Sequence, residues 1–308
     1  MENLVPEAVA HIERLKQAPK MYKMDPNSVR NLIAQAYSVE MERAPVAKIE
    51  DQEIPTSDGN KINIRIYTPE GNGPFKIITY FHGGGWVIGD IEISDASCRM
   101  LANCTRSVVV SVDYRLAPEH KFPIPVNDSY DAFTWVLNNA KNINGDPSKI
   151  IVCGDSAGGN LATIVAMKAR NDDLPEIFAQ VLIYPVTNLN FNTNSYQLFQ
   201  EGYGLDKELM MWFANHYLRE DEDRENSEVS PLLSKNLSNL PPTLIITAAN
   251  DVLRDEGLAY AERLKNCGNK VQYMCQQGVI HGYFTNMVVF SKYAKESIKN
   301  IDLFLKRI

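Results

Sequence analysis

Apolar positions recur at helical spacing from Pro6 to Gln17, and Asp25-Pro26 places a capping carboxylate before a proline at a first helical position. The pattern predicts two helices, the second running toward Met41. From about Val46 the period falls to two. Lys61-Ile62-Asn63-Ile64-Arg65-Ile66-Tyr67 alternates strictly, which predicts a half-buried strand closing a hairpin across Ser57-Asp58-Gly59-Asn60. Continuous apolar runs rich in β-branched residues then follow: Ile77 to Phe81, Val108 to Val112, Ile150 to Cys153, Val181 to Tyr184 and Leu244 to Thr247. Amphipathic helical patterns lie between most of them, at Asp128 to Ala140, Gly158 to Arg170 and Asp255 to Cys267. Apolar strands alternating with helices predict a parallel sheet covered on both faces. Ligands of such sheets sit beyond the carboxyl ends of the strands.

Between Tyr184-Pro185 and Thr243 the alternation stops. That stretch has no strand pattern but contains a helical segment, Asp206 to Leu218, and an acidic run, Asp221-Glu222-Asp223-Arg224-Glu225. A structureless loop of that length is improbable in a compact domain, so an insertion with its own helix is expected, placed as a lid. The acidic run does not make a calcium loop: Asn226 stands where a glycine is required and Leu232 where a bidentate glutamate is required. A solvated, charged linker is the expectation.

A length of 308 residues allows one large α/β domain or two domains. Hydrophobic residues at 44% and charged residues at 22% exclude disordered, collagen-like and coiled-coil classes. With 31 Lys+Arg against 38 Asp+Glu the net charge is −7, which makes nucleic acid and anionic membrane surfaces poor partners. Five cysteines (Cys98, Cys104, Cys153, Cys267, Cys275) with no C-x-x-C pair suit neither a disulfide framework nor a zinc site, and reduced, mostly buried thiols are expected. The first twenty residues are charged throughout and lack an apolar signal core, so a cytoplasmic protein is expected. The N-x-[ST] matches at Asn103, Asn127 and Asn236 are then chance occurrences.

The chemistry is concentrated in a few segments. Gly154-Asp155-Ser156-Ala157-Gly158 directly follows a buried strand pattern and directly precedes a helix. That is the context of a nucleophile elbow, in which a serine sits on a tight strand-to-helix turn and small flanking residues let backbones approach. No lysine follows as in a phosphate-binding loop. Upstream, His82-Gly83-Gly84-Gly85-Trp86 follows another strand, and its successive glycines leave backbone N–H groups open as donors to an oxyanion.

A serine hydroxyl needs a base and an acid to orient it. Of five histidines, His11 and His216 fall in predicted helices, His82 opens the glycine run and His120 lies in the loop Arg115 to His120. His281 remains, after the strand-like Val271 to Cys275 and a glycine-containing loop. The acid must fall between Ser156 and His281 at the end of a strand. Asp251 meets both conditions, while its rival Asp255 opens a helix, where the dipole already explains a carboxylate.

These segments, with Asp113-Tyr114-Arg115-Leu116-Ala117-Pro118-Glu119-His120, Leu253-Arg254-Asp255-Glu256-Gly257 and His281-Gly282-Tyr283, resemble the hormone-sensitive lipase family of carboxylesterases from about residue 45 onward. One departure is Val252, where the family usually has proline after the aspartate. The resemblance implies an α/β-hydrolase fold: an eight-stranded, mostly parallel sheet flanked by helices, with a helical cap. Residues 1–45 would form the N-terminal part of the cap and 46–308 the catalytic domain, with a cap insertion at about 188–235. It further implies Ser156, Asp251 and His281 as the triad, and Gly84, Gly85 and Ala157 as oxyanion donors. His82, Asp113, Arg115, His120 and Asp155 become scaffold. Trp86, Trp212 and Phe213 are candidate pocket residues.

The implied reaction is hydrolysis of short- to medium-chain acyl esters through a covalent acyl-enzyme, with no metal or cofactor and a small acyl ester as partner. A homodimer through an edge strand is allowed. The same triad also serves deacetylases, amidases and lactonases, and a non-catalytic ligand-binding protein of this fold is a further alternative.

Overall fold

The computed structural model describes residues 3–37 and 43–308. The first predicted helix is α1 (Pro6–Leu15), and the second is α2 (Pro26–Tyr37). The expected continuation of α2 to Met41 lies outside the described residues.

The hairpin strands are β1 (Lys48–Pro55) and β2 (Lys61–Thr68), and the apolar runs form β3 (Phe75–Phe81), β4 (Ser107–Asp113), β5 (Gly145–Asp155), β6 (Ala179–Ile183), β7 (Thr243–Asn250) and β8 (Val271–Ile280). They form one eight-stranded sheet in the order β1-β2-β4-β3-β5-β6-β7-β8. The β1–β2 and β2–β4 pairs are antiparallel and every other pair is parallel. Helices α3 (Ile91–Thr105), α4 (Ile124–Asn139), α5 (Ala157–Asn171), α8 (Arg254–Asn266) and α9 (Met287–Leu305) cover the sheet.

Alternation along the strands explains the two covering layers, because successive side chains point to opposite faces. Ile77, Val110 and Val152 join one buried cluster with Phe133 and Val136 of α4 and Leu161 of α5. Their neighbours Ile78, Val109 and Ile151 join the other, with Leu101 of α3 and Ile298 and Ile301 of α9. Each fully buried Val or Ile contributes about 1.5–3 kcal/mol, so the central strands are the firmest part of the molecule.

The insertion carries α6 (Asn194–Leu198) and α7 (Lys207–Tyr217). It meets the N-terminal segment through Lys20 Nζ, 2.9 Å from an oxygen of Asp206. Helix α2 is tied to the sheet domain by Arg30, which pairs with Glu119 and donates to the carbonyls of Val87 and Ala117. Helix α1 docks at the far edge of the sheet, where Val5 N–H donates to Gly278 O at 2.9 Å and Ile12 joins the cluster around Phe290.

Three expectations change. Strand β8 does not stop near Cys275: it runs through Gly278, which takes φ 75, to Ile280, so no loop precedes His281. The acidic run is not a solvated linker throughout, because Asp223 is buried and accepts a forked pair of bonds from Arg219. Of the cysteines, only Cys98 and Cys153 are buried, and Cys104 is exposed. No described helix is long and apolar enough to cross a membrane.

Candidate active site

Ser156 stands between the end of β5 and the start of α5, with φ 55 and ψ −119. A left-handed backbone at a non-glycine residue persists only when its surroundings impose it. Here the neighbouring glycines allow the imposition. A methyl group on Gly158 would run into the carbonyl oxygen of Phe81, and one on Gly154 would run into the Gly158 carbonyl. The turn is held by Ser156 N–H donating to Ile183 O at 2.9 Å. Asn160, one turn into α5 and fully buried, donates its amide to Val186 O and Val229 O, closing the two legs of the insertion over the helix.

Sheet register supplies the next pair. Asn250 of β7 pairs with Ile280 of β8, so the residues that follow, Asp251 and His281, emerge side by side. His281 Nδ1 lies 2.7 Å from Asp251 Oδ2, and its Nε2 lies 2.9 Å from Ser156 Oγ. A carboxylate acceptor at Nδ1 fixes the proton there and leaves Nε2 to accept the serine hydroxyl. Asp251 is 1% exposed, and its other oxygen accepts Leu253 N–H at 3.0 Å. Asp255 does not reach the histidine: it accepts Ser195 N–H at 2.7 Å and Arg254 Nε at 2.8 Å, anchoring α6.

The glycine loop sits beside the elbow because Phe81 pairs with Gly154 across β3 and β5. Gly84 and Gly85 take φ 114 and φ 58, a region open to glycine. The Gly84 carbonyl accepts Val87 and Ile88 N–H, while the N–H groups of Gly84 and Gly85 find no acceptor among the described residues. Ala157 opens α5, where first-turn N–H groups lack intrahelical partners. The loop is tied to the elbow at its first glycine, where Gly83 N–H donates to Asp155 Oδ1 at 2.9 Å, and backbone N–H groups of this kind suit a developing negative charge.

The remaining predicted residues form the scaffold. His82 Nδ1 lies 2.7 Å from Gly83 O, and its ring stacks on Tyr114, whose hydroxyl donates to His82 O. Burial pushes the Asp113 carboxyl up. Arg115 forks onto Asp128 and pairs with Asp58, and the His120 N–H donates to Leu116 O. Trp86 requires a correction as a candidate pocket residue: it is fully buried and stacks on Tyr217, so its ring is packing. Phe213 reaches the glycine loop and lies against Gly85, and half-buried Trp212 sits edge-on to Phe213 and His216.

Two contributors were not singled out from the sequence. Tyr80 donates its hydroxyl to Asp155 at 2.7 Å, and its one signal was a polar tip within a continuous apolar strand. Glu256, 1% exposed, accepts the N–H groups of Thr187 and Asn188 at the foot of the insertion. Burial raises its carboxyl to about 8.

This sheet order, with a serine at the turn after β5 and an acid and a histidine after β7 and β8, defines an α/β-hydrolase. The alpha/beta hydrolase fold family matches the chain over residues 78–285. An arylesterase of Saccharolobus solfataricus is 38% identical over 83% of this chain and 82% of its own. An ethyl acetate hydrolase of Pseudomonas putida is 37% identical over 76% of this chain and 75% of its own. The solved structure of a Pyrobaculum calidifontis esterase superposes with a TM-score of 0.92 at 39% identity, covering 99% of this chain and 98% of that one. The chain belongs to the hormone-sensitive lipase-like family of α/β-hydrolases, and it is a carboxylic ester hydrolase.

Proposed function

We propose that the protein hydrolyses short- to medium-chain acyl esters through a covalent acyl-enzyme on Ser156. The observation that carries this reading is the unbroken hydrogen-bond chain Asp251–His281–Ser156, at 2.7 and 2.9 Å. His281 Nε2 takes the hydroxyl proton as Oγ attacks the ester carbonyl. Asp251 holds the imidazole and stabilises its charged form. The N–H groups of Gly84, Gly85 and Ala157 receive the oxyanion. His281 then protonates the leaving alcohol, and water repeats the cycle to release the acid.

The preference for modest acyl chains is supported by how closely the insertion is held over the elbow helix, with Asn160 tied to both its legs at Val186 and Val229. The similarity to an ethyl acetate hydrolase points the same way. In this reading the N-terminal helices α1 and α2 and the insertion at about 188–235 together form the cap that shapes the pocket. Rates on p-nitrophenyl esters of graded acyl length test it. A maximum between about two and six carbons is expected, and a maximum at twelve or more would identify a lipase instead.

A further inference from the structure

Helix α7 touches the glycine loop twice. The Phe213 ring lies so close to Gly85 that a methyl group there would overlap it. One turn later Tyr217 stacks face to face on Trp86, with centroids 4.2 Å apart and planes 7° apart. All three aromatic rings are buried. Trp86 itself holds φ 61, a left-handed backbone that a bulky side chain adopts only under constraint. The constraint comes from the Tyr217 stack together with Ala117 N–H, which donates to Trp86 O at 2.8 Å. Tyr217 is fixed in turn: its carbonyl accepts Phe122 N–H at 2.9 Å, and Lys121 Nζ donates to the next carbonyl, Leu218 O, at 2.8 Å.

We infer that Phe213 and Tyr217 are positioning residues for the oxyanion hole, with α7 holding Gly84-Gly85-Trp86 in the conformation that aims the glycine N–H groups. The inference rests on Gly84 and Gly85 being the oxyanion donors proposed above. Its consequence is mechanical. The insertion is not a lid that swings while the glycine loop stays in place, because displacing α7 unseats both rings from the loop. A helix that merely lined the acyl pocket would govern KM and chain-length ranking. A helix that aims the donors acts on the transition state and therefore on kcat.

The Tyr217 hydroxyl makes no hydrogen bond among the described residues, so the stacked ring is the part that acts. That separates the variants. Tyr217→Phe keeps the stack and Tyr217→Leu removes it. Phe213→Leu removes the ring from Gly85 while filling most of its volume, and it carries the test alone if Tyr217→Leu does not fold.

The experiment measures kcat and KM on p-nitrophenyl acetate, butyrate and octanoate for these variants and for Ser156→Ala. Displacing an aligned group by about 1 Å costs on the order of 100-fold, so Tyr217→Leu and Phe213→Leu should lower kcat about 10- to 100-fold at every chain length. KM should stay within about threefold, and Tyr217→Phe should match the parent. Variants that keep kcat on acetate and alter only KM or chain-length ranking would overturn the inference, as would an equal loss in Tyr217→Phe. Ser156→Ala separates the two levels. If it stays active the Ser156 acyl-enzyme itself fails, and if it is inactive while the α7 variants are unaffected only the positioning role fails.

Discussion

Asp155 Oδ1 accepts the backbone N–H of Gly83 at 2.9 Å, so the residue beside the candidate nucleophile holds the first glycine of the candidate oxyanion loop. The same oxygen accepts the Tyr80 hydroxyl at 2.7 Å. Elbow and loop, far apart in sequence, are thereby joined through one buried carboxyl. Asp155→Ala would leave the buried Tyr80 hydroxyl unpartnered, at about 1–3 kcal/mol, and would free the half-buried Gly83 N–H. Denaturant unfolding should show that loss, and kcat should fall more than KM. Asp155→Asn keeps an acceptor oxygen and should retain most of both. An asparagine variant as damaged as the alanine one would contradict this role.

Glu256 makes stability depend on pH. Burial raises its folded-state value from the ordinary 4.5 to about 8, so between those limits the folded chain keeps a proton that the unfolded chain has released. The contribution of this group is therefore fully favourable below pH 4.5 and diminishes as pH rises through about 8. Glu256→Gln cannot ionise, and it should flatten the decline by roughly 3–5 kcal/mol. Urea unfolding at several pH values between 5 and 8 checks it. An identical slope in parent and variant would count against a protonated Glu256.

Two glycines give opposite expectations. At Gly158 an added methyl meets the Phe81 carbonyl oxygen, a backbone atom of a central strand that cannot yield. Gly158→Ala should lose more than about 3 kcal/mol or fail to fold, and activity should go with it. Gly202 has φ 87 but open space around it, so Gly202→Ala should cost only about 1 kcal/mol. Thermal unfolding of the pair tests whether close approach, rather than glycine content, is what the elbow requires.

The candidate site was legible in the sequence wherever its geometry leaves a local trace. A strand, a tight turn and a helix must be contiguous around Ser156, and glycines must fall at 154 and 158 for the backbones to meet. The order of Ser156, Asp251 and His281 could be read for the same reason, since each ends a strand. What could not be read depends on distant pairings. Nothing local shows that Asn250 and Ile280 share a register, or that Gly278 bends β8 without ending it. Helix α3 escaped the apolar pattern because it buries Ser94, Asp95 and Ser97, which interrupt the stripe. Trp86 looked like a pocket residue because the ring that covers it, Tyr217, belongs to the insertion.

The most direct test of the central claim is the rate of p-nitrophenyl butyrate hydrolysis by Ser156→Ala against the parent, with both shown to be folded. The hydroxyl that begins the acyl transfer is gone while the Asp251–His281 pair and the glycine loop remain. A fall on the order of 10⁴-fold or more, to near background, is the expected result. Hydrolysis persisting within about tenfold of the parent would contradict a Ser156 acyl-enzyme.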